Sequence, residues 1–218
     1  MPPTLEFSMQ LFDLSHTITT GMPVYPGTPP PRIQQTSVVD ADGFAEKRIC
    51  LHTHVGTHID APAHVFSDGA GLDTMSIDRF IGTGRCLTVT TPLIDEQALA
   101  PVAGIVARQE VDFLLFVTGW SRYWGSRRYF SGYPVLSEET ARFLQDCNLK
   151  GVGFDCLSAD RQGSVGLPIH KILLQRMIIV ENLCSLERLP PEGFLFSCLP
   201  LKLDDADGAP VRAAALCS

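Results

Sequence analysis

No apolar run in this chain reaches the ~18 residues that a membrane-spanning helix needs, so a bilayer-embedded helical protein is not expected. Basic residues are also in deficit. Seventeen Lys and Arg stand against 24 Asp and Glu, giving a net charge of −7. A nucleic-acid partner is therefore not expected, because no basic stripe is present to neutralise phosphates. The densest basic group, Arg122, Arg127 and Arg128, reads as a solvated loop. Seven cysteines occur, none in a Cys-x-x-Cys pair, which argues against a thiolate zinc site and for free thiols of a cytoplasmic protein. The N-terminus lacks a basic region followed by an apolar stretch, so no signal peptide is expected. Gly82-Thr-Gly84 and Gly151-Val-Gly153 lack the third glycine of a nucleotide loop, and no Gly-Lys-Ser/Thr follows either.

Against these absences stands one dense segment. Four of the six histidines fall between His52 and His64, in His54-Val-Gly-Thr-His58-Ile-Asp60-Ala-Pro-Ala-His64. Imidazole and carboxylate are the usual ligands of a catalytic transition metal. The β-branched Thr53, Val55, Thr57 and Ile59 favour extended backbone. His58 and Asp60 then project to one face, and a bend at Gly56 returns His54 to meet them. Two histidines and one carboxylate leave positions for water, a catalytic pattern rather than a closed structural one. His64 lies one short turn on, within reach for proton transfer. His52 and His16 read as packing residues or as residues that orient a ligand.

His170 and Glu181 form a second candidate pair. On one continuous helix they would stand ~16 Å apart, so sharing a metal requires a helix from His170 to about Arg176, a reversal, and a return strand over the apolar Met177-Ile-Ile-Val180. Asp155-Cys156-Leu-Ser158-Ala-Asp160 reads as a turn with capping acids. Cys156 is a possible nucleophile with no paired base marked beside it.

Elsewhere, five prolines between Gly21 and Pro31 forbid a helix and a central strand, leaving a loop of fixed shape that holds Tyr25. Strands are expected at Arg48–His52, Cys86–Thr90, Val111–Thr118, Gly151–Asp155, Met177–Val180 and Leu195–Leu199. Helices are expected within Leu72–Phe80, within Ile94–Arg108, and from Ser137, whose hydroxyl precedes an acidic first turn. The strand–helix–strand rhythm from 111 to 181 indicates a mixed α/β architecture in a single domain. That domain is expected over 9–218, with 1–8 an unstructured extension and Met9 a candidate start.

The chain resembles the cyclase-like metal-dependent hydrolases, which include bacterial kynurenine formamidase and isatin hydrolase. The resemblance rests on Phe12-Asp-Leu-Ser-His16, Gly21-Met-Pro-Val-Tyr-Pro-Gly27, the 54–64 segment, Thr118-Gly-Trp120, Gly153-Phe-Asp155, Ser158-Ala-Asp160, Glu181-Asn-Leu183, Leu199-Pro-Leu-Lys202 and Ala206-Asp-Gly-Ala-Pro-Val-Arg212. It implies a β/β/α swivelling-domain fold. It also implies one or two Zn²⁺ or Mn²⁺ ions on His54, His58, Asp60, His170 and Glu181, with Asp60 bridging where two are bound, and His64 as the proton-transfer residue. It implies a homodimer or homotetramer with the proline-rich loop near the site, which assigns Tyr25 to substrate binding. The formamidases carry Trp where Tyr25 stands. The 170–181 stretch is also one residue shorter than the family pattern and lacks the glycine expected at its reversal. The reaction implied is hydrolysis of a small non-peptide amide, N-formyl or cyclic. The alternatives left open are an ester or lactone hydrolase, a metal-dependent binding protein without turnover, and a cysteine hydrolase using Cys156.

Overall fold

The structure, a computed structural model, describes residues 9–217; the expected extension at 1–8 lies outside the described residues. Its frame is a nine-stranded sheet. In chain order the strands are β1 (Gln10–Asp13), β2 (His58–Asp60), β3 (Ile81–Thr88), β4 (Phe113–Val117), β5 (Gly151–Phe154), β6 (Ile178–Glu181), β7 (Phe194–Ser197), β8 (Gly208–Pro210) and β9 (Ala214–Cys217). Their spatial order is β1-β9-β7-β3-β4-β5-β6-β2-β8. The central four run parallel, and the strands on either side pair antiparallel.

The parallel centre follows from composition. Phe113-Leu-Leu-Phe-Val117 and Ile178-Ile-Val180 are unbroken apolar runs and are buried throughout, as strands covered on both faces must be. Three helices make the crossovers: α1 (Glu96–Ala107), α2 (Glu138–Asp146) and α3 (Pro168–Leu173). Asp95 and Ser137 cap the first two by accepting from the Ala98 and Thr140 N–H groups. Leu114, Phe116, Val152, Phe154 and Ile179 face these helices and pack with Leu99, Val106, Leu144 and Ile172. The opposite face carries Phe113, Leu115, Val117, Ile178 and Val180. These share one cluster with Ile59 and Ala209 from one end of the sheet and Phe196 and Ala215 from the other. Both ends therefore curl over the same face. The described residues form a mixed α/β unit, as expected.

Local differences have physical reasons. The segment 72–80 forms only a 3₁₀ turn at Ile77–Phe80, because the Asp73 and Thr74 turn closes on the Gly71 carbonyl instead of capping a helix. The strand expected at Cys86 begins earlier, at Ile81, through a Gly-Thr-Gly stretch packed closely against Phe194 and Asp112. The reversal after α3 needs no glycine. Arg176 and Met177 both donate to the Leu173 carbonyl, and no residue between 174 and 177 has a positive φ. Arg32–Ser37 and Glu46–Cys50 form a separate two-stranded hairpin that exposes Phe44 and Ile49. All seven cysteines are free.

Candidate metal centre

The site lies on the helix-covered face, where β6 ends and the loop after β5 begins, which is the crevice position of open α/β sheets. Strand pairing places its first donors. His58 pairs with Glu181, and Asp60 with Ile179. His58, Asp60 and Glu181 thus share one face, while Ile59 and Val180 turn to the apolar cluster behind. Gly56 adopts φ +66°, a left-handed conformation that only glycine takes readily, and this bend brings His54 back over Asp60. His170 arrives from the first turn of α3.

Two donor sets meet at Asp60. His54, His58 and Asp60 offer atoms within 4.8 Å of one another, as do Asp60, His170 and Glu181. Asp60 Oδ1 lies 2.6 Å from His54 Nδ1 and 3.4 Å from His58 Nε2, and Oδ2 lies 3.6 Å from His170 Nε2. Glu181 stands 3.6 Å from His58 and 3.2 Å from His170. Ligands about 2.1 Å from a tetrahedral ion are separated by roughly 3.4 Å, so most of these spacings suit a shared cation better than direct hydrogen bonds. Asp60 Oδ2 is buried without a hydrogen-bond partner. An orphaned carboxylate oxygen facing the His170 imidazole beside the Glu181 carboxylate fits a metal.

Each histidine of these sets has one nitrogen already committed. His58 Nδ1 donates to the Gly56 carbonyl at 2.8 Å, leaving Nε2 for the centre. His170 Nδ1 donates to Asp160 at 2.7 Å, again freeing Nε2. Asp160 also accepts from the Ile169 and His170 backbone N–H groups, so it caps α3 while aiming its ligand. His54 is engaged through Nε2 by Asp207 at 2.9 Å. Such outer partners fix both tautomer and ring angle. Asn182 braces the same region in the left-handed conformation: its amide donates to the Gly56 carbonyl, its oxygen accepts from Tyr129, and its carbonyl accepts from Thr57.

Charges respond to this crowding. Burial pushes the His54 imidazole down, but Asp60 and Asp207 outweigh it and raise it to about 9. Burial likewise opposes His170, which Asp160, Asp60 and Glu181 hold well above the usual imidazole range. Burial raises Asp60, but His58, His170 and His54 carry it well below the ordinary carboxylate range. His64 is lowered, chiefly by burial. It sits in the turn Pro62–His64, its ring 3.9 Å from that of His54 and 5.8 Å from that of His170.

The centre forms the floor of a cavity of about 390 Å³ walled by Pro23, Val24, Tyr25, Val55, Leu157 and Leu167. The proline-rich loop thus reaches the site, and Tyr25 presents its ring there because its hydroxyl accepts from the Gly163 N–H. His52 is exposed at the cavity mouth and lies behind no ligand, contrary to expectation. His16 stacks on Trp124 at 3.9 Å and is structural. Cys156 is fully buried against backbone carbonyls, and that burial pushes its thiol far up, which excludes a thiolate nucleophile. Asp160, Asn182 and Asp207 stand inside motifs of the family resemblance, yet sequence alone assigns them no site role beyond capping for Asp160. Their roles follow only from pairing, which sets Asp160 against His170, Asp207 against His54 and Asn182 against the Gly56 carbonyl.

Comparison with known proteins shows the family and the fold. The chain is 30% identical over 209 residues to a kynurenine formamidase of Salinibacter ruber, covering 94% of this chain and 96% of that one. Its fold matches isatin hydrolase A from Labrenzia aggregata with a TM-score of 0.81 at 22% identity, over 96% of this chain and 94% of that one. It also matches a Bacillus stearothermophilus protein described as a "predicted metal-dependent hydrolase", with a TM-score of 0.76 at 30% identity, over 96% and 98%. The model of the Cyclase family, described as "Putative cyclase", matches residues 12–161. The chain belongs to the Cyclase family.

Proposed function

We propose that this protein is a metal-dependent hydrolase that cleaves a small non-peptide amide, either an N-formyl or a cyclic amide. The observation that carries this reading is the meeting of two donor sets at Asp60, beside His64, on the floor of one small cavity. His54, His58 and Asp60 hold a first ion, and Asp60, His170 and Glu181 hold a second where two are bound. Imidazole and carboxylate donors suit Zn²⁺ or Mn²⁺. Such an ion, when bound, polarises a carbonyl and lowers the pKa of water from 15.7 to about 7.

The remaining work falls to the chain. His64, kept neutral by burial near pH 7, accepts a proton from the attacking water and returns it to the leaving nitrogen. The ring of Tyr25 and the side chains of Val24 and Leu157 hold the apolar part of the substrate. The cavity is near the lower end of the ~300–1,000 Å³ range of ligand pockets, which supports a small substrate. The name of the formamidase relative supports the same bond class, and that of the hydrolase relative supports metal dependence. The reading includes a homodimer or homotetramer, supported by the exposed Phe44 and Ile49 of the hairpin.

The test is elemental analysis of purified protein, with turnover of N-formylkynurenine and of isatin followed before and after chelation. One or two metal equivalents per chain, with turnover lost on chelation and restored by zinc or manganese, is the expected result. Failure to bind metal under any reconstitution overturns it.

A further inference from the structure

Asp207 has no place in the donor sets above, yet it touches two of the histidines. Its backbone carbonyl accepts from the Ala61 N–H at 2.9 Å, which fixes it beside the end of β2. Its Oδ2 lies 2.9 Å from His54 Nε2 and 3.6 Å from His64 Nδ1. The next residue, Gly208, pairs with Asp60. A Cβ there would stand 2.5 Å from His54 Cε1, so the His54 ring lies directly on this strand. One carboxylate oxygen and one bare backbone position together define where the His54 ring sits.

Two uses of Asp207 are open, because His54, His64 and Asp207 also offer atoms within 4.8 Å of one another. It is a ligand of its own ion with His54 and His64, or it orients His54 for the ion at Asp60. The geometry favours the second. The nitrogen that His54 turns toward Asp60 is Nδ1, at 2.6 Å. Both nitrogens face carboxylates in the structure, and an ion at Asp60 would take the place of the Nδ1 proton, so that Nε2 keeps its proton and donates it to Asp207. An ion on Nε2 would need that proton removed and would compete with the Nδ1 use of the same ring. Burial agrees: the side chains of Asp60 and Glu181 are 1% and 6% exposed, whereas that of Asp207 is 42% exposed.

We propose that Asp207 is a positioning residue. It accepts the Nε2–H of His54 so that Nδ1 faces the metal, and it draws the Nδ1 edge of His64 toward itself so that Nε2 is the nitrogen left to carry a proton. This rests on the metal-dependent reading above and deepens it.

The test uses zinc itself, titrated against a chromophoric chelator into metal-free full-length protein, with zinc stoichiometry measured on the loaded protein. Asp207→Ala is expected to keep the wild-type number of zinc ions and to bind them about 10- to 100-fold more weakly, the usual cost of removing an outer partner. Asp207→Asn retains an acceptor oxygen for Nε2–H and is expected to recover most of that loss. In spectra of zinc-loaded protein with ¹⁵N-labelled histidine, the wild type is expected to show a protected Nε2–H on His54, present in Asp207→Asn and absent in Asp207→Ala. A general loosening of the fold would not select one tautomer. Loss of a whole zinc equivalent in Asp207→Ala makes Asp207 a ligand and overturns the assignment, as does unchanged affinity or an Nδ1–H tautomer in the wild type. A wild type that takes up no zinc overturns the metal-dependent reading itself, whereas a zinc-loaded wild type with an indifferent Asp207→Ala overturns only this assignment.

Discussion

Gly208→Ala should disable the centre without substituting a ligand. The new Cβ meets three atoms at once: His54 Cε1 at 2.5 Å, the Ile59 carbonyl oxygen at 2.8 Å and His54 Nε2 at 2.9 Å. Ordinary contact begins at 3.4 Å, so the His54 ring falls short by about 0.9 Å. Ile59 cannot yield, because it is fully buried in the middle of β2 between β6 and β8. The half-buried His54 ring is the part that moves. Metal sites tolerate ligand displacements of only about 0.2 Å, so a shift of this size takes Nδ1 off the centre. Overpacking of this kind costs about 1–3 kcal/mol of stability. Losing the placement of one ligand should weaken zinc binding by at least the ~100-fold upper cost of an outer-partner change. Urea unfolding of the metal-free protein reads the first quantity and a chelator competition titration the second. Gly21→Ala is the control, since its added Cβ meets nothing within 4 Å. If Gly208→Ala binds zinc as tightly as the wild type, the His54 ring does not lie on β8 and the reasoning fails.

Three further outcomes are expected. His64→Ala should retain its metal while turnover falls by about 10²- to 10⁴-fold; loss of metal on elemental analysis would make His64 a ligand and reject its role. Asn182→Ala should cost about 2 kcal/mol in urea unfolding, because it strands the buried Tyr129 hydroxyl, removes one of the two donors to the Gly56 carbonyl and places a less suited residue at φ +56°; a cost below about 1 kcal/mol would show that the Tyr129 bond is not made. His16, lowered to about 4 by burial, binds protons more readily in the unfolded chain, near 6.5. Its contribution is therefore full above pH 6.5 and is lost as pH falls toward 4. Allowing for its partial exposure, the wild type should lose about 1–2 kcal/mol more than His16→Gln across that window; equal losses in pH-dependent unfolding would refute a buried neutral imidazole.

The architecture was legible where one cause dominates. The unbroken apolar runs at 113–117 and 178–180 read as buried strands because parallel sheets are covered on both faces. The helix at 138–146 was marked by Ser137 and its acidic first turn. The metal segment was legible because β-branched residues and one glycine dictate its path, and His170 and Glu181 came together through the short helix and return strand that the spacing demanded. The hairpin's second strand, expected at Arg48–His52, runs Glu46–Cys50, but its first strand at Arg32–Ser37 and the strands β8 and β9 were not read, since Gln-rich or Ala-rich sequence carries little period-2 signal, and the pairing of β8 and β9 is set by distant partners. The role of His52 was misjudged for a related reason: adjacency in sequence says nothing of which side of the Thr53 bend a ring occupies.

The candidate ligands could be named from two stretches of sequence, 54–60 and 170–181, but their orientation is held elsewhere. His58 is aimed by the Gly56 carbonyl of its own turn, His170 by Asp160 from the loop after β5, and His54 by Asp207 at the approach to β8. The strand that carries His58 and Asp60 is only three residues long. It is too short to persist alone, and it is fixed by β6 on one side and β8 on the other. Closing the site therefore requires contacts between residues about 120 and 150 positions apart in the chain, pairings whose loop-closure entropy makes them slow to form. Metal binding selective for the folded state should then stabilise the whole sheet, with a gain that grows with free metal concentration, and the isolated 54–64 segment should not reproduce the centre.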